Sequence, residues 1–428
     1  MINNPVLAIN GGKKLIDFKF SSYNSIGSEE LEASNEVVKS GILSDFVGAP
    51  GENFLGGKYV KTFENKFKSS FESEHAISVN SWTSGLIAAV GAIGIEPGDE
   101  VLVTPWTMCA SAISILHWNA IPVFVDIEED TFCMDPEKIE EKITHRTKAI
   151  LVVDIFGQSA DMDPILEIAK KYKLKVISDC AQSPGARYKG KIAGTMADVG
   201  GYSFNYHKHI HTGEGGMIVT NDHLIAHKCQ LIRNHAEAAI VNIENADLTN
   251  MIGYNFRLGE IESAIGIKQL DKLENAISSR QKAAQLLTKN LQDIDGLTTP
   301  HVREGCTHVY YFYAMKHNEN LTGVSRDAIH KALIAEGVPL ISKEYQNLHM
   351  LPMFEMKQCY GTNNFPWSLN HEVDYKYGEG TCEVAERINK EEYLGIFMCG
   401  SNFEDHEVEI MSNAIKKVYS NLDELKQL

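Results

Sequence analysis

The segment Val176-Ile-Ser-Asp179-Cys-Ala-Gln182 carries the pattern from which the fold and chemistry of this chain are predicted. An apolar, β-branched run ends at Asp179, and Gln182 follows three residues later. Taken alone, Asp179 fits the cap of a following helix, because aspartate is a preferred N-cap residue. It also fits a buried carboxylate at the end of a strand, which would need a cationic partner.

A second segment, Ser203-Phe-Asn-Tyr-His-Lys208-His-Ile-His-Thr-Gly213-Glu-Gly-Gly216, places Lys208 between a strand-like start and a glycine-rich turn. Most lysines are exposed, so Lys208 fits an ordinary loop residue as well as a reactive amine. The alternating His207, His209 and His211 would share one face of a strand, with Lys208 on the other, and could hold a metal ion. No cysteine or carboxylate cluster completes a ligand set, and we therefore expect no metal site.

Short apolar strands alternate with helix-period segments between residues 30 and 300. The strand segments are Ala76–Val79, Glu100–Thr104, Pro122–Val125, Ala149–Val153, Lys175–Ser178 and Gly216–Thr220. This alternation predicts an α/β fold with a mostly parallel central sheet covered by helices. Ligands collect at the carboxyl ends of the strands in such sheets, which is where Asp179 lies.

A change of pattern near residue 280 predicts two domains. A long helical pattern runs from about Leu258 to about Ile294, and an aromatic strand and a further helical segment follow it. We expect a large domain over residues 1–280, including the N-terminal segment 1–30, and a smaller C-terminal α+β domain over residues 281–428.

Charge and composition exclude several classes of protein. The 428 residues include 40 Lys+Arg and 57 Asp+Glu, for a net charge of −17, whereas nucleic-acid binders and proteins on anionic membranes usually carry a basic surplus. The most apolar window, Leu86–Ile95, is shorter than the ~20 residues of a spanning helix, and no export signal is visible. Eight cysteines without a CxxC pair favour a reducing cytoplasm. We expect no nucleic-acid partner, no membrane and a cytoplasmic protein.

A third segment, Ser81-Trp-Thr83-Ser84-Gly85, lies between a predicted strand and a predicted helix. Hydroxyl residues at such a turn fit an ordinary N-cap, and they also fit a phosphate bound at the helix N-terminus. The three segments together offer a phosphate cradle, a carboxylate for a protonated ring nitrogen and an amine for a carbonyl. Pyridoxal 5′-phosphate requires these three things.

With these three segments, the sequence resembles the sugar aminotransferases named after the DegT, DnrJ, EryC and StrS proteins. The resemblance covers nearly the whole chain, and the Asp-x-x-Gln, Lys and Gly-Glu-Gly-Gly combination is highly specific. Further matching segments are Ala8-Ile-Asn-Gly-Gly-Lys, Gly56-Gly57, Phe63-Glu64, Pro97-Gly-Asp-Glu-Val101, Pro122-Val-Phe-Val-Asp126, Gly157-Gln-Ser-Ala-Asp-Met-Asp163, Gly253-Tyr-Asn255-Phe-Arg257, Gln269-Leu270 and Tyr345-Gln-Asn-Leu-His349.

The resemblance implies a fold-type-I pyridoxal-phosphate enzyme. Lys208 would bind the cofactor covalently and Asp179 would pair with its ring nitrogen, so these two residues are the predicted catalytic residues. Gln182 would hydrogen-bond the ring hydroxyl. Ser203 and the Thr83–Ser84 turn would hold the phosphate.

The resemblance also implies a homodimer in which two chains build each active site. Asn255 would reach the cofactor phosphate of the neighbouring subunit. An alternative is that Asn255 caps the helix that begins near Leu258, which needs no partner.

Two positions depart from the family pattern. The family usually stacks an aromatic residue on the cofactor ring where this chain has Met108, so either the Met108 thioether or nearby Trp106 would pack there. Relatives often show histidine where this chain has Asp154. That carboxylate would influence substrate choice or would lie at a solvated strand end.

The predicted function is amino transfer from glutamate to a keto-sugar, in the first place a nucleotide-linked one, in amino-sugar or cell-surface polysaccharide biosynthesis. Glutamine is the alternative donor, and a cyclitol ketone such as scyllo-inosose is the alternative acceptor. A sugar dehydratase of the same family would carry histidine in place of Lys208, which argues against that activity. A non-catalytic regulatory homologue is disfavoured because Asp179 and Lys208 are both present.

Overall fold

A seven-stranded, mostly parallel sheet organises the larger part of the molecule. The computed structural model describes residues 6–240 and 247–426. Its strands are β1 (His75–Val79), β2 (Glu100–Val103), β3 (Ile121–Phe124), β4 (Thr147–Val153), β5 (Lys175–Asp179), β6 (Arg187–Tyr188), β7 (Lys191–Ile192), β8 (Val199–Ser203), β9 (Gly216–Thr220), β10 (Leu297–Thr298), β11 (Phe312–His317), β12 (Ile341–Ser342) and β13 (Tyr393–Phe397). The strand order in the large sheet is β1-β9-β8-β5-β4-β2-β3.

The register of this sheet brings the predicted site segments together. Strands β8, β5, β4, β2 and β3 are parallel, and β9 runs antiparallel to both β1 and β8. Asp179 lies beside Val153, the last residue of β4. Gly216 of β9 pairs with both Val79 and Ser203. The loops after β1 and β8 therefore leave the same edge of the sheet, with only β9 between them. The predicted α/β fold is confirmed.

Helices cover the large sheet, and others pack on the remainder of the chain. They are α1 (Ser28–Ser40), α2 (Lys58–Ser70), α3 (Trp82–Ala92), α4 (Ala110–His117), α5 (Met162–Tyr172), α6 (His223–Arg233), α7 (Ala236–Ala239), α8 (Glu260–Leu291), α9 (Glu319–Thr322), α10 (Arg326–Glu336), α11 (Pro352–Glu355), α12 (Glu383–Arg387) and α13 (Asp405–Tyr419). Nine of the eleven residues of α3 are buried, as expected for a helix that is apolar on all sides.

A second, antiparallel sheet has the strand order β10-β11-β13-β12 and packs with α10 and α13 over its own core. Leu7, Ile16 and Phe20 belong to this core, although we expected the segment 1–30 in the large domain. They lie there because the chain before α1 runs beside α10: the Ile16 N–H donates to the Glu336 carbonyl.

The segment between α11 and α12 returns to the core of the large sheet. Trp367, Tyr375 and Cys382 are buried in that core. The 32-residue helix α8 crosses position 280 without a break, so the division at that residue stays a prediction. Among the described residues, none of the helices has both the length and the apolar character needed to cross a membrane.

Candidate active site

Asp179 ends β5 as a buried carboxylate with three hydrogen-bond donors. Its Oδ1 accepts from Trp82 Nε1 at 2.7 Å and from the Ala181 N–H at 3.1 Å. Its Oδ2 accepts from Ser111 Oγ at 2.8 Å. Burial raises the pKa of Asp179, while these three donors and the nearby Lys208 act to lower it. The carboxylate is therefore fixed in orientation, and its Oδ2 keeps capacity for a further donor.

Lys208 provides a buried amine on the loop between β8 and β9. The side chain is 7 % exposed, and Nζ lies 4.3 Å from the centroid of the Tyr311 ring. Within the described residues, Nζ has neither a hydrogen-bond acceptor nor an ion-pair partner. Burial lowers the pKa of Lys208 to about 8, although Asp179 and Cys399 act to raise it. A substantial fraction of this amine is uncharged at mildly alkaline pH, which is the nucleophilic form.

Gln182 lies one turn beyond Asp179 and is held on both sides of its amide. Its Oε1 accepts from the Phe156 N–H at 2.8 Å, and its Nε2 donates to the Tyr345 hydroxyl at 3.0 Å. Burial raises the pKa of that hydroxyl to about 12, so Tyr345 stays protonated at neutral pH. One Nε2 hydrogen of Gln182 has no acceptor in the described part of the chain.

The turn after β1 opens α3, and its groups suit an anion. Ser81 caps α3, because its Oγ accepts from the Ser84 N–H at 3.1 Å. The backbone N–H groups of Trp82 and Thr83 have no acceptor among the described residues. Free N–H groups at the start of a helix favour a negatively charged group. Ser203 lies at the same end of the sheet, where its Oγ accepts from the Asn205 N–H at 3.3 Å.

The role of Trp82 beside Asp179 was not predicted from the sequence. Its indole is 4 % exposed and fills space left by a glycine of β8 and by one in its own helix α3. A Cβ built on Gly201 would lie 2.0 Å from the indole, and one on Gly85 would lie 2.5 Å from it. The sequence contains both the tryptophan and the glycine-rich strand. Only the strand order shows that the two are neighbours.

Trp106 and Met108 occupy different environments. Trp106 is fully buried, stacks on Phe132 with ring centroids 5.5 Å apart, and donates through Nε1 to Asn347 Oδ1 at 2.6 Å. Met108 is 62 % exposed. Trp106 is thus committed to the protein core, and ring contact by Met108 stays a prediction.

Asn255 lies on an exposed loop before α8. Its Oδ1 accepts from Arg257 Nε at 2.9 Å. The N-cap of α8 is Gly259, so the alternative in which Asn255 caps that helix is wrong. The adjacent Phe256 carbonyl accepts from the Asn80 N–H at 2.8 Å, which places the loop beside the turn that opens α3. Its contribution to a partner's site stays a prediction.

Asp154 is fully buried behind the site. Its Oδ1 accepts from the Ala160 N–H at 2.8 Å and its Oδ2 from Cys180 Sγ at 3.1 Å. Burial, with a smaller contribution from the neighbouring Asp179 carboxylate, raises the pKa of Asp154 to about 6. The alternative of a solvated strand end is therefore wrong.

The three alternating histidines point to different surroundings. His209 is buried, with its Nε2 2.8 Å from the Val309 carbonyl, and His207 lies beside Tyr311 with ring centroids 6.1 Å apart. His211 accepts from the Gly213 N–H at 3.3 Å. Among the described residues, no group of three or more metal-ligating side chains is found.

These donors and acceptors fit pyridoxal 5′-phosphate. A free buried amine suits its aldehyde, a fixed carboxylate suits its ring nitrogen, and a helix N-terminus with two free N–H groups suits its phosphate. An unoccupied amide hydrogen on Gln182 suits its ring hydroxyl.

Comparison with known proteins gives the same assignment. The model of the DegT/DnrJ/EryC1/StrS aminotransferase family matches residues 26–372. The GDP-perosamine synthase of Caulobacter vibrioides is 37% identical over 70% of this chain and 79% of its own length. A Streptoalloteichus tenebrarius protein provisionally named L-glutamine:3-amino-2,3-dideoxy-scyllo-inosose aminotransferase is 31% identical over 98% of this chain and 99% of its own.

A solved aminotransferase from Psychrobacter cryohalolentis has a TM-score of 0.80 at 28% identity, covering 95% of this chain and 100% of the other. The fold-type-I architecture is thereby confirmed. The chain belongs to the DegT/DnrJ/EryC1/StrS aminotransferase family, and its cofactor is pyridoxal 5′-phosphate.

Proposed function

We propose that this chain transfers an amino group from glutamate to a keto-sugar, in the first place a nucleotide-linked one. The observation that carries the proposal is the unpartnered Lys208 amine, buried beside Asp179 with its pKa lowered to about 8. The name of the Caulobacter vibrioides relative supports a nucleotide-linked acceptor. Amino-sugar formation for a surface polysaccharide is the corresponding role.

The binding roles follow from the hydrogen-bonding groups at the carboxyl ends of the strands. Asp179 would hold a proton on the ring nitrogen, and Gln182 would donate to the ring hydroxyl. The free N–H groups of α3 would bind the phosphate, together with the hydroxyl groups of Thr83, Ser84 and Ser203.

When bound, pyridoxal phosphate supplies a carbonyl carbon for the amino group and a ring that withdraws electrons. Lys208 Nζ would take the proton that the donor's α-carbon loses, and a base with a pKa near 8 suits this task at neutral pH. Asp179 would keep the ring nitrogen protonated through the transfer. The Tyr311 ring covers Nζ on one side and keeps water from it.

Changing Lys208 to alanine tests this proposal. Lys208→Ala should bind the cofactor without a covalent link, so borohydride should fix no cofactor to the chain, and transfer of ¹⁵N from glutamate should be lost. Lys189→Ala is the control, because Lys189 is an exposed lysine paired with Asp163 on the surface. Transfer by Lys208→Ala at the wild-type rate would show that another group is the catalytic amine.

The acceptor is tested with a panel of ketones under the same ¹⁵N assay. The panel should contain nucleotide-linked keto-sugars, the same sugars without the nucleotide, and scyllo-inosose. A cyclitol acceptor is the second candidate, because the provisionally named scyllo-inosose aminotransferase matches 98% of this chain. Preference for scyllo-inosose by more than tenfold in kcat/KM would replace the keto-sugar assignment.

We also propose that the active form is a cytoplasmic homodimer with shared sites. Support comes from the exposed position of Asn255 next to the turn that opens α3 and from eight cysteines that form no disulfide. An inactive Lys208→Ala chain mixed with an inactive Asn255→Asp chain should regain part of the activity. The second substitution places a carboxylate against a phosphate, which weakens cofactor binding. Demonstrated chain exchange without recovered activity would contradict shared sites.

A further inference from the structure

A polar cavity of about 450 Å³ lies between the chain before α1, the middle of α8 and the residues that follow β13. Its lining includes two cations, Lys272 and Arg280, and none of its lining residues is acidic. Lys272 is already committed, because its Nζ lies 2.7 Å from Glu30 Oε2 and donates to the Ser25 carbonyl at 2.9 Å.

Arg280 is the uncommitted cation of this cavity. The side chain is 4 % exposed, and its guanidinium lies 4.2 Å from the centroid of the Tyr23 ring. Nη1 donates to the Ala276 carbonyl at 2.7 Å, whereas Nε and Nη2 are buried without a partner. Within residues 6–240 and 247–426, Arg280 forms no ion pair with a carboxylate. A buried charge without compensation is strongly unfavourable, so the position calls for an anion.

Arg233 shows how the same chain treats a buried arginine that serves structure. It is fully buried, and its Nη1 lies 2.6 Å from Glu64 Oε1 and donates to the Ser78 carbonyl at 3.0 Å. Its Nε and Nη2 also lack partners, but Glu64 neutralises its charge. The difference between the two arginines is therefore an internal carboxylate, present for Arg233 and absent for Arg280 among the described residues.

The cavity adjoins the segment that carries Lys208. The Tyr23 hydroxyl donates to the carbonyl of His209, the next residue, at 2.8 Å. The Cys399 thiol is buried near both cations: burial raises its pKa, whereas Arg280 and Lys208 act to lower it. One wall of the cavity is therefore hydrogen-bonded to the loop that carries Lys208.

We propose that this cavity binds a carboxylate of the amino donor, with Arg280 as the ion-pair partner. The guanidinium fork matches the two oxygens of a carboxylate, and one free cation matches one negative charge. Neutral polar groups that line the same cavity, among them Asn24, Ser401 and Asn402, can bind the remaining oxygen atoms. The inference rests on the proposed aminotransferase function, since an amino acid is the carboxylate-bearing substrate of that reaction.

Titration of the holoprotein with glutarate tests the site independently of turnover. Glutarate has two carboxylates but neither an amino nor a keto group, and glutaramide is its neutral counterpart. We expect glutarate to bind the wild-type protein at least tenfold more tightly than glutaramide. Its Kd should rise at least tenfold in Arg280→Met and less in Arg280→Lys, which keeps the charge but loses the fork. Arg187→Met, at an exposed arginine paired with Glu72, should leave the Kd within twofold.

The KM for glutamate identifies the donor. It should rise at least tenfold in Arg280→Met, with the KM for the acceptor and kcat changed less than threefold. Equal glutarate affinity in wild type and both Arg280 variants, or no glutarate binding to the wild type, overturns the proposal. Loss of glutarate binding with an unchanged KM for glutamate overturns the donor assignment. If no acceptor is aminated while glutarate binding depends on Arg280, the proposed function fails but the carboxylate site stands.

Discussion

Asp154 and Asp179 are buried carboxylates at the carboxyl ends of adjacent parallel strands, yet their surroundings differ. Asp179 accepts two side-chain hydrogen bonds, from Trp82 and Ser111, and lies near the Lys208 amine. Asp154 accepts from a backbone N–H and a thiol, and the charge acting on it is the Asp179 carboxylate. The same position on a sheet edge thus gives one carboxylate suited to hold a cation and one whose pKa is raised to about 6 by burial and a neighbouring carboxylate.

The largest effect is expected when Asp179 loses its charge. Asp179→Asn keeps the shape but cannot hold a proton on the ring nitrogen, so turnover should fall at least about a hundredfold. Rapid-mixing measurement of the half-reaction with glutamate would show the loss, and circular dichroism would show that the fold remains. Wild-type turnover in this variant would mean that another acid serves the ring.

A smaller effect is expected when Asp179 keeps its charge but loses one donor. Trp82→Phe removes the indole N–H, and a hydrogen bond to a charged group contributes about 1.5–3 kcal/mol. The pKa of Asp179 should rise, turnover should fall about tenfold, and the pH profile of the cofactor's visible absorption should shift.

Trp118→Phe is the matched control for that substitution. Trp118 Nε1 donates to the Ile87 carbonyl at 2.7 Å rather than to a site carboxylate. The absorption profile of this variant should follow that of the wild type. An unshifted profile in Trp82→Phe would show that the indole only fills space.

The smallest effect on turnover is expected for Asp154→Asn, which should stay within about threefold of the wild type. This substitution should instead change how the free energy of unfolding depends on pH. The pKa of Asp154 is about 6 in the folded chain and has a usual value of 3.8. The folded state therefore binds this proton more tightly than the unfolded state, and the free energy of unfolding falls as pH rises from about 4 to 6.

A shift of this size corresponds to about 3 kcal/mol. Urea unfolding of the wild type should show this loss between pH 4 and pH 7, and Asp154→Asn should lack most of it. A variant whose pH dependence matches the wild type would place the ionisable group elsewhere.

The sheet and the segments that carry Asp179, Lys208 and the turn before α3 could be located from the sequence, because each depends on local order along the chain. The strands around Asp179 and the turn before α3 follow from apolar periodicity and capping residues. The roles of Trp82 and Arg280 could not be predicted this way. They depend on which strands and helices become neighbours, and these neighbours are far apart in the sequence.

The segment between α11 and α12 was unpredictable for a related reason. Its polar and aromatic residues show no helical or strand period, yet Trp367 and Tyr375 pack into the core of the large sheet. Single aromatic anchors in an irregular segment leave no periodic signal. The N-terminal residue Leu7 likewise joins the second core through one side chain rather than through a regular element.

The contact between Trp82 and Gly201 has a consequence for how this sequence can change over generations. A methyl group on Gly201 would lie 2.0 Å from the indole, so alanine is excluded there as long as the tryptophan remains. The Met217 carbonyl oxygen would lie 2.5 Å from the same methyl group, so replacing the tryptophan alone does not make room for alanine. Glycine is therefore required at this strand for two separate reasons. A descendant that loses the tryptophan should still keep Gly201.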